Sequence, residues 1–186
     1  MQLTVYKRKT DTKKDINVLR HEGNIPAVLY SKGIKSENIY INKSEFEKIL
    51  RTLKSGDLST TIFKVKSEKE TYDAIVKDIQ YFITTYDISH LDLYKLNPKE
   101  KIKVNVPIRF IGGQACKGVK QGGTIRQILR KAKVKCFSKD MPKEFIVDVA
   151  SLDVGDVKRL SDIDFPKGVD PITKALKEVV IAITKK

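Results

Sequence analysis

The chain has 186 residues, a length of one or two domains, and 40% of them are hydrophobic, enough to bury one core or two modest ones. Lys and Arg outnumber Asp and Glu by 37 to 23, a net charge of +14 that favours polyanionic partners and says nothing about fold. No run approaches the roughly 18 apolar residues of a membrane span. The start, Met1-Gln2-Leu3-Thr4-Val5, alternates like a strand and lacks the apolar core of a signal peptide, so the expected location is the cytoplasm.

Thr4 to Arg8 reads as a first strand with a basic exit, and the polar stretch Thr10 to Asn17 as a surface loop. Lys7, Arg8, Lys9, Lys13, Lys14 and Arg20 together form a basic arm, expected to be mobile until it joins a sheet. It runs into Gly23-Asn24, a turn signal, and Pro26 holds the backbone extended into the strand Pro26–Tyr30. Ser31-Lys32-Gly33 turns the chain into a short strand at Ile39–Ile41. Ser44-Glu45-Phe46-Glu47 has the spacing of a capping box, and Phe46, Ile49, Leu50 and Leu53 form one apolar helical stripe, closed by Gly56. Thr60–Val65 and Thr71–Gln80 read as a hairpin around the polar Ser67-Glu68-Lys69-Glu70. Ile88 to Tyr94 alternates at period two, which sends Ile88, His90, Asp92 and Tyr94 to one face and Ser89, Leu91 and Leu93 to the other.

Asn97-Pro98 marks the boundary between a first domain, 1–95, and a second, 96–186, because proline blocks a continued ladder and the composition then changes. Up to Asp92 the chain has 16 basic and 13 acidic residues; from Leu93 on it has 21 and 10. Residues 101 to 139 hold eleven Lys or Arg and no Asp or Glu. That block opens with a strand at Lys101–Phe110, and its glycines, Gly112, Gly113, Gly118, Gly122 and Gly123, suggest bends rather than a helix. Ile125 to Val134 is ambiguous: Ile125, Ile128, Leu129 and Ala132 fit helical spacing, while the flanking glycines and Val134-Lys135-Cys136-Phe137 favour strands. Phe145–Val149 and Val179–Ile183 are further strands. The fold class is mainly β with a few helices (α+β), and the second domain is β-rich.

Cys116 and Cys136 are the only cysteines, and they read as small buried or surface thiols. His21 and His90 lie far in sequence from both, so neither a zinc site nor a Cys–His catalytic pair is indicated. The stretch Gly113 to Gly118 lacks the trailing Lys and Ser/Thr of a phosphate-binding loop. No catalytic residues, metal, cofactor or small-molecule substrate are expected. The nucleic-acid reading rests on three groups of residues. Arg8, Lys13, Lys14 and Arg20 suit phosphate contacts that set register. The Tyr30 ring can stack on a sugar or base. Lys77 can meet a phosphate, Gln80 and His90 can hydrogen-bond groove edges, and Asp92 can accept from base amino groups or orient His90. Each also has a plainer reading, as a solvated surface, a half-buried strand tyrosine and a histidine–aspartate pair at a strand end.

The order Arg20-x-x-Gly23-x-Ile25-Pro26-Ala27-Val28-Leu29-Tyr30, then Lys77-Asp78-Ile79-Gln80, then His90-x-Asp92, resembles the L twenty-five family of the bacterial large ribosomal subunit, which binds 5S rRNA. Val104-x-Val106-Pro107, Gly118-Val119-Lys120-Gln121-Gly122-Gly123, Val147-Asp148-Val149, Leu152-Asp153-Val154-Gly155-Asp156 and Asp162 resemble its long form, the CTC or general-stress type. The resemblance implies an N-terminal β-barrel with flanking helices that docks on 5S rRNA, with contacts from Arg8, Lys13, Arg20, Tyr30, Lys77, Gln80, His90 and Asp92. Other readings of the same residues are a stress-induced ribosome-associated protein and a tRNA-binding module like the anticodon-binding barrel of glutaminyl-tRNA synthetase. Ile16-Asn17-Val18 stands where the family carries a small residue and two basic ones, Tyr81 where Arg is common, Lys77 where Gln is frequent, and Ser31 where Gly is usual. Some phosphate contacts are therefore expected to be lost. Lys117, Lys120, Arg126, Arg130, Lys131 and Lys133 in the acid-free block are expected to compensate, by touching rRNA or a neighbouring ribosomal protein.

Overall fold

A computed structural model describes residues 1–8, 12–67, 70–172 and 176–185. Lys9 of the basic arm, Thr10 of the expected loop, and Glu68 and Lys69 of the hairpin turn lie outside them. Two compact units result, Met1–Glu100 and Lys101–Lys186.

The first unit is built on seven strands. They are β1 (Gln2–Thr4), β2 (Tyr6–Lys7), β3 (Asn24–Ser31), β4 (Ile34–Asn42), β5 (Ile62–Lys66), β6 (Thr71–Tyr81) and β7 (Ile88–Lys95). They pair in the order β1-β5-β6-β7-β3-β4-β2. Val5 alone separates β1 from β2, yet these two strands occupy opposite edges of the sheet. A flat sheet cannot satisfy both facts, so the sheet rolls up and its edges meet at Val5. The expected single strand Thr4–Arg8 is therefore two short ones. Val5 N–H continues the β5 side by donating to the Lys66 carbonyl at 2.9 Å, and Arg8 N–H continues the β4 side by donating to Asn38 at 3.0 Å.

Inward-facing Ala27, Leu29, Ile39, Ile41, Phe63, Val65, Ala74, Val76, Leu91 and Leu93 fill the barrel. Helix α2 (Lys43–Thr52) adds Phe46, fully buried in that core, with Ile49, Leu50 and Leu53 packed against it, so the expected stripe does cover the barrel. Its cap differs from the expected one. Asn42, not Ser44, is the N-cap, its side-chain oxygen accepting from the Ser44 and Glu45 amides at 3.0 and 3.3 Å.

Lys13–His21 is a helix, α1, where a loop was expected. Thr12 caps it, accepting from the Asp15 amide at 3.3 Å while its hydroxyl donates to the Asp15 carboxylate. The helix buries no residue completely, so it presents no strong apolar stripe to a sequence reading. Docking against β3 and good capping supply what periodicity does not.

The second unit holds two sheets. One comprises β8 (Lys101–Ile111), β10 (Lys131–Phe137), β11 (Phe145–Asp148) and β13 (Asp170–Pro171), in the order β11-β8-β10-β13. The other is β12 (Val157–Arg159), β14 (Val179–Lys185) and β9 (Gly123–Gln127), with β14 central. The ambiguous stretch 125–134 thus contains no helix. It ends β9, crosses Ile128 to Arg130 and begins β10. The glycine cluster, in contrast, includes a helical turn, α3 (Lys117–Lys120), not only bends. Cys116 and Cys136 are both buried and free.

Gly118 sits where no side chain fits. A Cβ there would lie 2.9 Å from the Val154 amide nitrogen, the Asp153 carbonyl carbon and the Ile183 Cγ2. Gly118→Ala is expected to destabilise the second unit by about 1–3 kcal/mol, the usual range for overpacking a close-fitted site. Native-state amide exchange at Val180–Ile183 would report it; unchanged protection would contradict the packing.

Candidate nucleic-acid interface

Four of the expected residues meet on the outer face of β6, β7 and β3. The strand pairing sets Gln80 opposite His90, Asp78 opposite Asp92, Val28 opposite Asp92, and Tyr30 opposite Tyr94. Alternation then turns Leu91 and Leu93 into the core and leaves His90, Asp92 and Tyr94 partly exposed. Ile88 does not join them. A register irregularity between Gln80 and Tyr81 breaks the pattern, and Ile88 is buried, a correction to the expected face. A second irregularity between Val76 and Asp78 gives β6 an extra residue, and Lys77 occupies that bulge, exposed.

His90 Nδ1 lies 2.9 Å from Asp92 Oδ1. With the carboxylate as acceptor, Nδ1 carries the proton, and in the neutral ring Nε2 is left as an acceptor. Asp92 therefore orients His90 and keeps further lone pairs of its own. The Tyr30 and Tyr94 rings meet edge to face with centroids 5.5 Å apart. Burial, then Asp92, Tyr94 and Asp78, push the Tyr30 hydroxyl above the ordinary phenol range, so it stays a neutral donor. The middle of the face is rich in acceptors and hydroxyls, with two carboxylates side by side.

The cations lie around it. A transverse row runs Asp78, Asp92, Val28, Asn38, and Arg8 enters it through its backbone bond to Asn38. Four strands from β7 to β2 at about 4.8 Å spacing place Arg8 about 14 Å from Asp92 along that row. Arg20 is at the His90 end, its Nη2 donating to the Ser89 carbonyl at 2.9 Å and its guanidinium lying 5.2 Å from the Phe82 ring centre. The guanidinium thus fastens α1 to the barrel. Lys13 and Lys14 are exposed on the first turn of α1, and the arm is an ordered helix at these positions rather than a mobile segment. The six basic residues expected in the second unit are all exposed but divided. Lys117 and Lys120 are on α3, Arg126 on β9, Arg130 in the following connection, and Lys131 and Lys133 on β10.

The loop joining β6 to β7 was not among the expected site residues. Phe82 N–H donates to the Asp87 carbonyl at 2.8 Å and Tyr86 N–H to Phe82 at 2.9 Å, closing a tight loop. Lys43 Nζ, at the start of α2, reaches Asp87 Oδ1 at 2.6 Å. Tyr86 is the one non-glycine residue with a positive φ among those described, at 57°, and it is 80% exposed, while Ile83 is 91% exposed. Between this loop and α1 lies a groove of about 460 Å³ bordered by Asn17, Arg20, His21, Thr84 and Thr85. The signal in sequence was the loss of polar alternation at Tyr81-Phe82-Ile83. Among the described residues no cluster of His, Cys, Asp and Glu could hold a metal ion.

Residues 3–93 match the family model for the ribosomal L25p family, and residues 101–186 match that for the C-terminal domain of ribosomal protein TL5. Large ribosomal subunit protein bL25 of Chlamydia trachomatis serovar A is 43% identical over 186 residues, covering 100% of both chains. The same protein of Chlamydia muridarum is also 43% identical over the full length of both, and that of Chlamydia pneumoniae 42%.

Hydrogen bonds from Lys43 and Thr85 hold the Asp87 carboxyl below the usual carboxylate range. A folded pKa below the unfolded one means that this group's stabilising contribution is present above about pH 3.9 and is lost as pH falls through the folded value. The Asp87 carboxyl resonance is expected to titrate below pH 3.9, and to return towards it in Lys43→Met. Coincident titrations in the two proteins would show that the ion pair does not hold the loop.

Proposed function

This chain belongs to the ribosomal L25p family and carries the TL5-type C-terminal domain, and from that premise we propose that it is a structural constituent of the large ribosomal subunit that binds 5S rRNA through the outer face of β6, β7 and β3. It works on the ribosome, in the cytoplasm, and catalyses no reaction. One observation carries the site assignment: Tyr30, Gln80, His90 and Asp92, up to 62 positions apart in sequence, lie on three adjacent strands of one surface.

The chemistry of that surface suits RNA better than a generic polyanion. Asp78 and Asp92 at its centre would repel a phosphate strand laid across them. They suit donors instead, such as 2′-hydroxyls and base amino groups, which the shallow minor groove of an RNA helix displays. The orienting pair His90–Asp92 gives a fixed acceptor and a fixed carboxylate, Gln80 gives an amide with both donor and acceptor, and Tyr30 a hydroxyl with a stackable ring. Arg8, Lys13, Lys14, Arg20 and Lys77 then take the flanking phosphates, setting orientation while the centre sets choice. Ile16, Asn17 and Val18 supply no cations to α1, so the rim carries fewer phosphate contacts than the family pattern.

Because His90 and Asp92 side chains are only partly buried and lie outside the core, their removal should leave the barrel intact. His90→Ala and Asp92→Ala are each expected to weaken 5S rRNA binding by about tenfold, the value of one good hydrogen bond to a charged or oriented group, with the thermal midpoint unchanged. A loss of midpoint matching the loss of binding would instead mark the pair as structural.

A further inference from the structure

The groove between α1 and the loop joining β6 to β7 adjoins the proposed RNA face at its His90 end. Arg20, on one wall, donates to the carbonyl of Ser89, the residue before His90. Phe82, on the other, follows Gln80 by two residues, about 7 Å at the rise of a strand, and Gln80 stands opposite His90. An RNA helix seated on that row has the groove next to it. Ile25 and Ile88, both buried, also line the groove. Its volume of about 460 Å³ falls within the roughly 300–1,000 Å³ of small-molecule sites.

The cations of the groove are already engaged. Lys43 is held by Asp87 at 2.6 Å, and Arg20 by the Ser89 carbonyl and the Phe82 ring. A phosphate would have to break those contacts and would meet the Asp87 carboxylate. What the lining leaves available is hydrogen bonding without fixed charge. Among the described residues the Thr84 hydroxyl and the His21 ring have no hydrogen-bond partner. Asn17 uses its side-chain carbonyl, accepting from Arg20 at 3.4 Å, and keeps its amide N–H groups. The Phe82 ring is 40% exposed although the Arg20 guanidinium lies 5.2 Å from its centre. A part-open aromatic ring beside such groups suits a planar, uncharged ligand with polar edges. Unstacked nucleobases are ligands of that kind, and aromatic rings are what they stack upon when proteins recognise single-stranded RNA.

We propose that this groove takes one unpaired nucleobase from the RNA, stacked on Phe82 and hydrogen-bonded at its edge by Asn17, His21 and Thr84. That the ligand belongs to RNA rests on the function proposed above and on the continuity of the groove with the His90 row. Tyr30, Gln80, His90 and Asp92 read the side of a helix, and the groove reads a base that has left one. The loop's own hydrogen bonds and the Lys43–Asp87 pair hold Phe82 in place before RNA arrives. A side chain of a neighbouring protein is the competing occupant, and it would give the groove no preference among RNAs.

The test uses the full-length chain at about 100 mM salt and three RNA stems of one sequence unrelated to 5S rRNA. One is fully paired, one has a single unpaired adenosine, and one has an abasic nucleotide in that place. The adenosine stem is expected to bind at least about tenfold more tightly than the paired stem, the scale of one base stacked on an aromatic ring. The abasic stem should bind like the paired stem, because bending freedom without a base gives the groove nothing to hold. Phe82→Leu should remove the preference for the adenosine stem and leave affinity for the paired stem unchanged. Equal binding of the adenosine and paired stems, equal binding of the adenosine and abasic stems, or a preference that survives Phe82→Leu overturns the proposal. Because these stems carry no 5S sequence, a failure to prefer 5S rRNA in competition would overturn the proposed function without moving this result, so the two failures are told apart.

Discussion

The parallel pairing of β3 with β7 is the contact on which the first unit depends. Ala27 to Tyr30 lies beside Leu91 to Tyr94, two segments more than sixty residues apart that adjoin in the middle of the sheet. The register is fixed from inside. Ala27, Leu29, Leu91 and Leu93 are buried on one face, and a shift of one residue would expose all four and bury Asp92. The apolar core that closes the barrel therefore also puts Tyr30 against Tyr94 and Asp92 beside Val28. Site geometry and hydrophobic burial are two readings of a single alternation.

The charges divide labour in the same way. The outer face keeps its carboxylates at the centre and its cations at the borders, so it is not simply a basic patch. A protein that held RNA by net charge alone would have no use for Asp78 and Asp92 in neighbouring register.

Much of this was legible from residue pattern because period-two alternation maps directly onto barrel faces. His90-x-Asp92 reads as a same-face pair, and the pair is present at 2.9 Å. Phe46, Ile49, Leu50 and Leu53 read as a covering stripe, and they pack on the core. What stayed hidden depends on tertiary pairing. Ile88 leaves the face of His90 because of a register irregularity at Ser89 in the pairing of β7 with β6, which no local pattern records. Helix α1 escapes notice because it buries no residue fully and is held by Thr12, by β3 and by the bond from Arg20 to Ser89. Ile125 to Val134 satisfied two periodicities at once, and the pairing of β9 with β14 and β10 with β8 decided between them. The loop Phe82–Asp87 is defined by its own hydrogen bonds and by Lys43, forty-four residues away from Asp87.

The central claim is that contour and placed hydrogen-bonding groups, rather than bulk charge, govern RNA choice by the barrel. Competition for the purified full-length protein between 5S rRNA and an unrelated folded RNA of equal length, at about 0.15 M salt, tests it most directly. The account expects 5S rRNA to displace the competitor with a large preference that persists as salt rises, because the hydrogen bonds of the central strip are screened less than the phosphate contacts. Equal affinity for the two RNAs, falling together with salt, would contradict it.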